Sequence, residues 1–139
     1  MTKQELIKKT KAVNILYVED EEILRQSSYD LFSNFFNSIT IQTNGKAGLE
    51  AFKVGKFDII ISDIAMPVMD GLEFIGHVRD IDEDIPIIVY SAWNDNSYKI
   101  SCSELNVDAY ITKPLNINTF IEVLEKIILK IEEIKGEKE

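Results

Sequence analysis

The chain has 139 residues, of which 24 are acidic and 15 basic, so its formal net charge at pH 7 is −9. This length fits one domain with one core, and the negative charge argues against direct binding to nucleic acid phosphates. The single cysteine, Cys102, excludes an internal disulfide and a thiolate metal cluster. No apolar run reaches the ~18 residues of a membrane span, and the first residues lack a signal sequence. We therefore expect a cytoplasmic protein without membrane contact.

Short apolar stretches alternate with segments of helical periodicity along the chain. After a leading segment at 1–12, runs rich in β-branched residues predict five strands. These are residues 13–18, 39–43, 58–62, 87–90 and 107–111. Runs such as IIIS are apolar at consecutive positions, as in parallel strands that are buried on both faces. A helical segment follows each strand, so the pattern predicts an α/β fold in which five βα units form a doubly wound sheet.

The last helix, which follows Pro114, has more apolar surface than one packing face requires. Its apolar residues recur at steps of four and three. They are Phe120, Leu124, Ile127, Ile131 and Ile134. The helix is either a core helix with a polar tail or a helix that binds a partner or begins a linker. We divide the chain into an N-terminal extension at 1–12, a domain at 13–131, and a polar tail or linker start at 132–139.

Polar side chains stand where the predicted strands end. Ligands of an open parallel sheet bind outside the carboxyl ends of its strands, so this edge is the first place to look for a site. Each acid taken alone is more often a helix cap or a solvated loop residue, but together they indicate a shared pocket if the first and third strands are neighbours. The residues are Glu19 and Asp20 after the first strand, Asp63 after the third, Ser91 after the fourth and Lys113 after the fifth.

Three clustered carboxylates repel one another unless a cation joins them. An oxygen-only donor set suits a hard ion, and Mg²⁺ fits best because it takes one or two carboxylates and keeps several waters. The negative charges of the three acids are balanced by the positive charges of Lys113 and one Mg²⁺. A metal ion and an ammonium facing a carboxylate are the groups that phosphoryl transfer to an acid requires.

Four segments resemble the receiver domain of two-component response regulators, the CheY-like superfamily. The resemblance covers about 13–129 and implies a flavodoxin-like (βα)5 three-layer sandwich with parallel strand order 2-1-3-4-5. It also implies a cis peptide bond between Lys113 and Pro114. The segments are ILYVEDEE at 15–22, IIISDIAMPVMDG at 59–71, VYSAW at 89–93 and AYITKP at 109–114.

The resemblance implies a role for each matching site residue. Asp63 is the expected phosphoacceptor, and Lys113 and Ser91 are the expected donors to the phosphoryl oxygens. Tyr110 matches the aromatic switch position that works with Ser91. The implied Mg²⁺ ligands are the carboxylates of Asp20 and Asp63, Glu19 through a metal-bound water, and the backbone carbonyl of Ala65.

The implied function is a signalling switch and not an enzyme with an outside substrate. Asp63 would take a phosphoryl group from the phosphohistidine of a sensor histidine kinase or a phosphotransfer protein. The affected face, which the family numbers α4-β5-α5, would contact a downstream effector, an attached output domain or a second copy of the chain. The chain is expected to be either a stand-alone receiver or a piece of a longer protein.

Two other classes of protein would also place polar groups at this sheet edge. A Mg²⁺-dependent phosphatase with an aspartyl nucleophile usually carries a second Asp two residues later, where this chain has Ala65. A flavodoxin-like binder of a small cofactor is opposed by the acidic loop after the first strand, which would repel a phosphate.

Trp93 either shields the phosphoryl group, since the resemblance places it beside the path of water, or points away as a contact residue.

Overall fold

The computed structural model describes residues 1–138. The strands are β1 (Asn14–Val18), β2 (Ser38–Gln42), β3 (Ile59–Ser62), β4 (Ile87–Ser91) and β5 (Ala109–Thr112). The helices are α1 (Lys3–Thr10), α2 (Glu22–Phe32), α3 (Gly45–Val54), α4 (Gly71–Ile81), α5 (Asn96–Glu104) and α6 (Ile117–Lys138). Because α1 precedes the repeating unit, the face that the family numbers α4-β5-α5 is α5-β5-α6 in this chain. No helix in the described part of the chain is both long and apolar enough to cross a bilayer.

The five strands form one parallel sheet in the order β2-β1-β3-β4-β5, which confirms the doubly wound α/β fold. The β1 strand lies inside the sheet and pairs with β2 on one side and β3 on the other, so that Val18 lies opposite both Gln42 and Ser62. The segments that follow β1 and β3 therefore leave the sheet side by side.

Helices cover both faces of the sheet because its central strands are apolar at consecutive positions. Every residue of β3 and β4 is buried. One hydrophobic cluster joins the sheet to α1, α2 and α6 and contains Leu6, Phe32 and Phe120. The other joins it to α3, α4 and α5 and contains Leu49, Phe74 and Cys102. This is the expected three-layer sandwich.

The leading helix α1 packs against α6 and covers part of its apolar surface. Leu6 is fully buried in the same cluster as Ile128 and Ile131 of α6. The Thr10 hydroxyl donates a hydrogen bond of 2.6 Å to the Phe35 carbonyl. Residues 1–12 therefore contribute to the core on the α6 side.

Leu6→Ala is expected to lower the free energy of unfolding by about 2–5 kcal/mol, because it leaves a cavity under α1 that the surrounding residues fill only partly. Denaturant titration measures this loss. Ile23→Ala is the control, since Ile23 is 81% exposed and should lose less than about 0.5 kcal/mol. Equal effects of the two substitutions would contradict the role assigned to α1.

The boundaries of the first four strands lie within one residue of the expected ones, and two other parts of the chain differ more. The β5 strand begins at Ala109 and not at Val107, because Asn106 adopts a positive φ of 56° and the Asp108 carboxylate accepts a hydrogen bond of 2.8 Å from the Ile87 amide. The segment expected to be a polar tail is helical, since α6 continues to Lys138. The division of the chain into domains stays a prediction.

Candidate functional site at the carboxyl edge of the sheet

Three carboxylates meet at the carboxyl ends of β1 and β3. One oxygen each from Glu19, Asp20 and Asp63 lies within 4.8 Å of the others. Glu19 and Asp63 are buried, whereas Asp20 is exposed. The pairing of β1 with β3 produces this cluster, because Asp63 directly follows the residue that pairs with Val18.

Lys113 follows β5 and reaches across the sheet edge to two of these acids. Its Nζ donates hydrogen bonds of 2.7 Å to Glu19 Oε1 and 2.9 Å to Asp63 Oδ2. The peptide bond to Pro114 is cis, as the resemblance implies. Three carboxylates against one ammonium leave two negative charges uncompensated.

Burial and charge shift the pKa values of this cluster. Burial raises the pKa of Glu19 to about 7, and the charge of Asp63 adds to the shift while Lys113 opposes it. Burial lowers the pKa of Lys113, but its hydrogen bonds to Glu19 and Asp63 outweigh that effect and raise it above the ordinary value. The ammonium therefore stays charged at neutral pH, whereas burial makes the ionised form of Glu19 energetically unfavourable.

The contribution of Glu19 to the stability of the metal-free protein is expected to fall as the pH rises from about 4.5 to about 7. Because its folded pKa is raised, the folded state binds the proton more tightly than the unfolded state, so stability falls while that proton is lost. The effect is on the order of 1–3 kcal/mol. Denaturation in chelator at pH 5 and pH 7.5 measures it, and Glu19→Gln is expected to remove this component. If the difference in unfolding free energy between the wild type and Glu19→Gln does not change with pH, the prediction is contradicted.

Close backbone packing holds the loop between Asp63 and α4. A Cβ atom at Gly71 would overlap the carbonyl oxygen of Asp63, and one at Gly45 would overlap that of Met69. The Gly71 amide donates to the Ile64 carbonyl at 2.8 Å. Asp70 caps α4 by accepting a hydrogen bond of 2.9 Å from the Glu73 amide. Ala65 lies exposed in this loop, and the role of its carbonyl stays a prediction.

The two predicted switch residues are joined through the backbone of Trp93. Ser91 is fully buried, and its Oγ accepts a hydrogen bond of 3.2 Å from the Trp93 amide. The Tyr110 hydroxyl donates to the Trp93 carbonyl. The Trp93 indole is 54% exposed, with its ring 6.5 Å from that of Tyr98 on α5. A movement of Ser91 would therefore disturb the residue that also binds Tyr110.

The structure places two further residues at the site that sequence reasoning missed. Arg25 on α2 donates from Nη1 to the backbone carbonyls of Glu19, at 3.0 Å, and Asp20, at 3.2 Å. It thus holds the loop that carries the two acids. The buried ring of Tyr90 lies beside the Lys113 ammonium. The position of Arg25 one to two turns after the acidic pair was the available signal, whereas for Tyr90 the sequence held none.

The donor set fits a hard divalent cation. Three carboxylate oxygens lie close together, two of them from buried residues, and their charge exceeds that of Lys113. Oxygen donors with surplus negative charge match the preference of Mg²⁺. Glu19, Asp20 and Asp63 are therefore able to hold a metal ion.

The comparisons with known proteins agree with this geometry. The model of the response regulator receiver domain matches residues 15–125. The chain belongs to the response regulator receiver domain family, whose members act in two-component signal transduction, and its acidic cluster fits the phosphoacceptor site of such a domain.

Individual relatives support the same assignment. The chain is 26% identical over 123 residues to the transcriptional regulatory protein CseB of Streptomyces avermitilis, a match that covers 88% of this chain and 52% of that protein. It thus spans about half the length of the curated relatives it matches. The N-terminal domain of an uncharacterized protein from Wolinella succinogenes is 31% identical, with a TM-score of 0.78 and coverage of 91% of this chain and 99% of that one. The response regulator TrrA of Thermotoga maritima, solved with Mg²⁺ and BeF, is 30% identical, with a TM-score of 0.73 and coverage of 83% and 98%.

Proposed function

We propose that this chain is a Mg²⁺-dependent phosphorylation switch in which Asp63 receives a phosphoryl group from the phosphohistidine of a sensor histidine kinase or phosphotransfer protein. The carrying observation is the position of Asp63, buried between Lys113 Nζ and two further carboxylates. Its Oδ1 also accepts a hydrogen bond of 2.6 Å from the Ile64 amide. These contacts orient the carboxylate as a nucleophile.

The residues of the chain divide the work of the reaction. An Asp63 oxygen attacks the phosphorus in line while the bond to the donor nitrogen breaks, which leaves an acyl phosphate on Asp63. Lys113, already at hydrogen-bond distance from Asp63, neutralises charge on the phosphoryl oxygens. Mg²⁺, held by Glu19, Asp20, Asp63 and the Ala65 carbonyl, would supply further charge neutralisation and orientation when bound. The site otherwise relies on positioning.

The output follows from the links between Ser91, Trp93 and Tyr110. A phosphoryl group adds oxygen acceptors, so the Ser91 hydroxyl turns toward it and gives up its contact with the Trp93 amide. The Trp93 carbonyl and the Tyr110 hydroxyl then rearrange on the α5-β5-α6 face. That face would contact a downstream effector, an output domain or a second copy of the chain, and the transcriptional regulators among the relatives favour a transcriptional output.

We assign the chain to switches rather than to enzymes with turnover. Ala65 stands where an aspartyl phosphatase would carry its second acid, and a methyl group cannot transfer a proton. The chain would therefore promote only its own phosphorylation and dephosphorylation.

A small-molecule phosphodonor separates the candidate functions. With acetyl phosphate and Mg²⁺, the switch should gain one phosphoryl group, seen by intact-mass spectrometry, and release phosphate only as that group decays. Sustained release of phosphate without a stable adduct would indicate a phosphatase. A small molecule that co-purifies with the protein would indicate a cofactor binder.

A further inference from the structure

Tyr90 lies directly beside the lysine of the proposed phosphoacceptor site. It precedes Ser91 on β4 and pairs in register with Ile111, two residues before Lys113. The Lys113 Nζ is 5.3 Å from the centroid of the Tyr90 ring, within the ~6 Å that a cation–π contact allows. Resting on the proposed function, we infer that Tyr90 is a positioning residue whose ring face holds the Lys113 ammonium at the phosphoryl oxygens.

The ring has a fixed position of its own. Tyr90 is 5% exposed, and its centroid is 6.4 Å from that of Phe32, which stacks on Phe120 at 5.3 Å. Phe32 of α2 thus packs on the Tyr90 ring and is itself held by Phe120 of α6. The contact therefore offers Lys113 a rigid surface and not another mobile side chain.

The lysine needs such a surface because its stem is flexible. Four carbons separate the ammonium from the backbone, and the residue is only 11% exposed in its side chain. Water competes little for a buried ammonium, which strengthens its attraction to an aromatic face.

The contact with Tyr90 is also one that phosphorylation of Asp63 leaves unchanged. Lys113 Nζ bonds Glu19 and Asp63, and Asp63 changes its chemistry when it takes the phosphoryl group. The ring of Tyr90 stays neutral and stays in place throughout the reaction. It thus holds the ammonium while Asp63 is converted to its phosphorylated form.

Tyr90→Leu is expected to slow phosphorylation by acetyl phosphate about tenfold, because it removes the ring face. Tyr90→Phe keeps the ring and should stay within about twofold of the wild-type rate. Phe36→Leu is the packing control: Phe36 is 2% exposed and packs against Phe35 and Phe120. It should lower the stability while leaving the rate near that of the wild type.

An NMR measurement tests the contact without the reaction. The ring current of Tyr90 should shift the Lys113 side-chain protons upfield in the wild type and in Tyr90→Phe, and Tyr90→Leu should abolish that shift. If Tyr90→Leu and Phe36→Leu slow the reaction equally, or if Tyr90→Leu does not slow it, the inference is wrong. If the wild type takes no phosphoryl group, the proposed function fails, and the ring-current shift alone decides whether Tyr90 holds Lys113. An unshifted Lys113 in the wild type would overturn the inference.

Discussion

Asp63→Asn is expected to abolish phosphorylation of the protein completely. An amide nitrogen or oxygen cannot form the stable acyl phosphate that the carboxylate forms, so no adduct should remain by intact-mass spectrometry after incubation with acetyl phosphate and Mg²⁺. The substitution is close to isosteric, and the Asn oxygen can still accept the hydrogen bond of the Ile64 amide. One negative charge is lost from a crowded cluster, which favours the stability of the metal-free variant.

The control for Asp63→Asn is Asp80→Asn, which makes the same chemical change at an exposed position on α4. It should take one phosphoryl group at the wild-type rate. Persistent labelling of Asp63→Asn would show that another residue is the phosphoacceptor, and peptide mapping would identify that residue. The loss of labelling counts only if thermal unfolding shows that the variant is folded.

The fold could be predicted from the sequence because the strands carry a strong local signal. Buried parallel strands are continuous apolar runs, as IIIS and PIIVY are, and their spacing leaves room only for crossover helices. The site could be predicted for a related reason. Strand ends converge in this topology, so polar residues far apart in the chain, such as Asp20 and Lys113, had to lie at one edge.

Side-chain contacts across elements were beyond prediction from periodicity. Within α2 the structure buries Ser28 and Phe32, because Phe32 packs on Tyr17 and Phe120. The contact of Tyr90 with Lys113 arises from the same tertiary packing. Backbone links such as the one through Trp93 have no residue signature at all, since any residue supplies an amide and a carbonyl.

The apolar surplus of α6 shows a further limit. The stripe from Phe120 to Ile134 was equally compatible with a partner and with a core helix. In the structure Phe120, Leu124, Ile127 and Ile131 are buried within the domain, partly under α1. Leu129 remains 56% exposed and Ile117 39%. The surface left for self-association is therefore smaller than the sequence suggested.

Asp20→Ala is expected to weaken Mg²⁺ binding about a hundredfold, against about tenfold for Glu19→Gln. Asp20 is exposed and offers its carboxylate to an incoming ion, so its loss removes a direct anionic ligand. Glu19 is 1% exposed and bonded to Lys113, an arrangement suited to contact through a metal-bound water, and Gln retains an oxygen. Both variants lose a negative charge from the cluster, so their stability without metal should rise or stay level.

Titration with MgCl₂ followed by the fluorescence of Trp93, the only tryptophan, measures these affinities, since its amide contacts Ser91 at the site. Calorimetry provides a second readout that does not depend on the position of the indole. Asp80→Ala is the control for removal of an exposed carboxylate and should bind Mg²⁺ like the wild type. The opposite order of the two affinities would show that Glu19 is the direct ligand and Asp20 the one that acts through water. Unchanged affinity in both variants would exclude the acidic cluster as the metal site. Among the described residues, no other group of three or more acidic, His or Cys side chains is close enough to hold an ion.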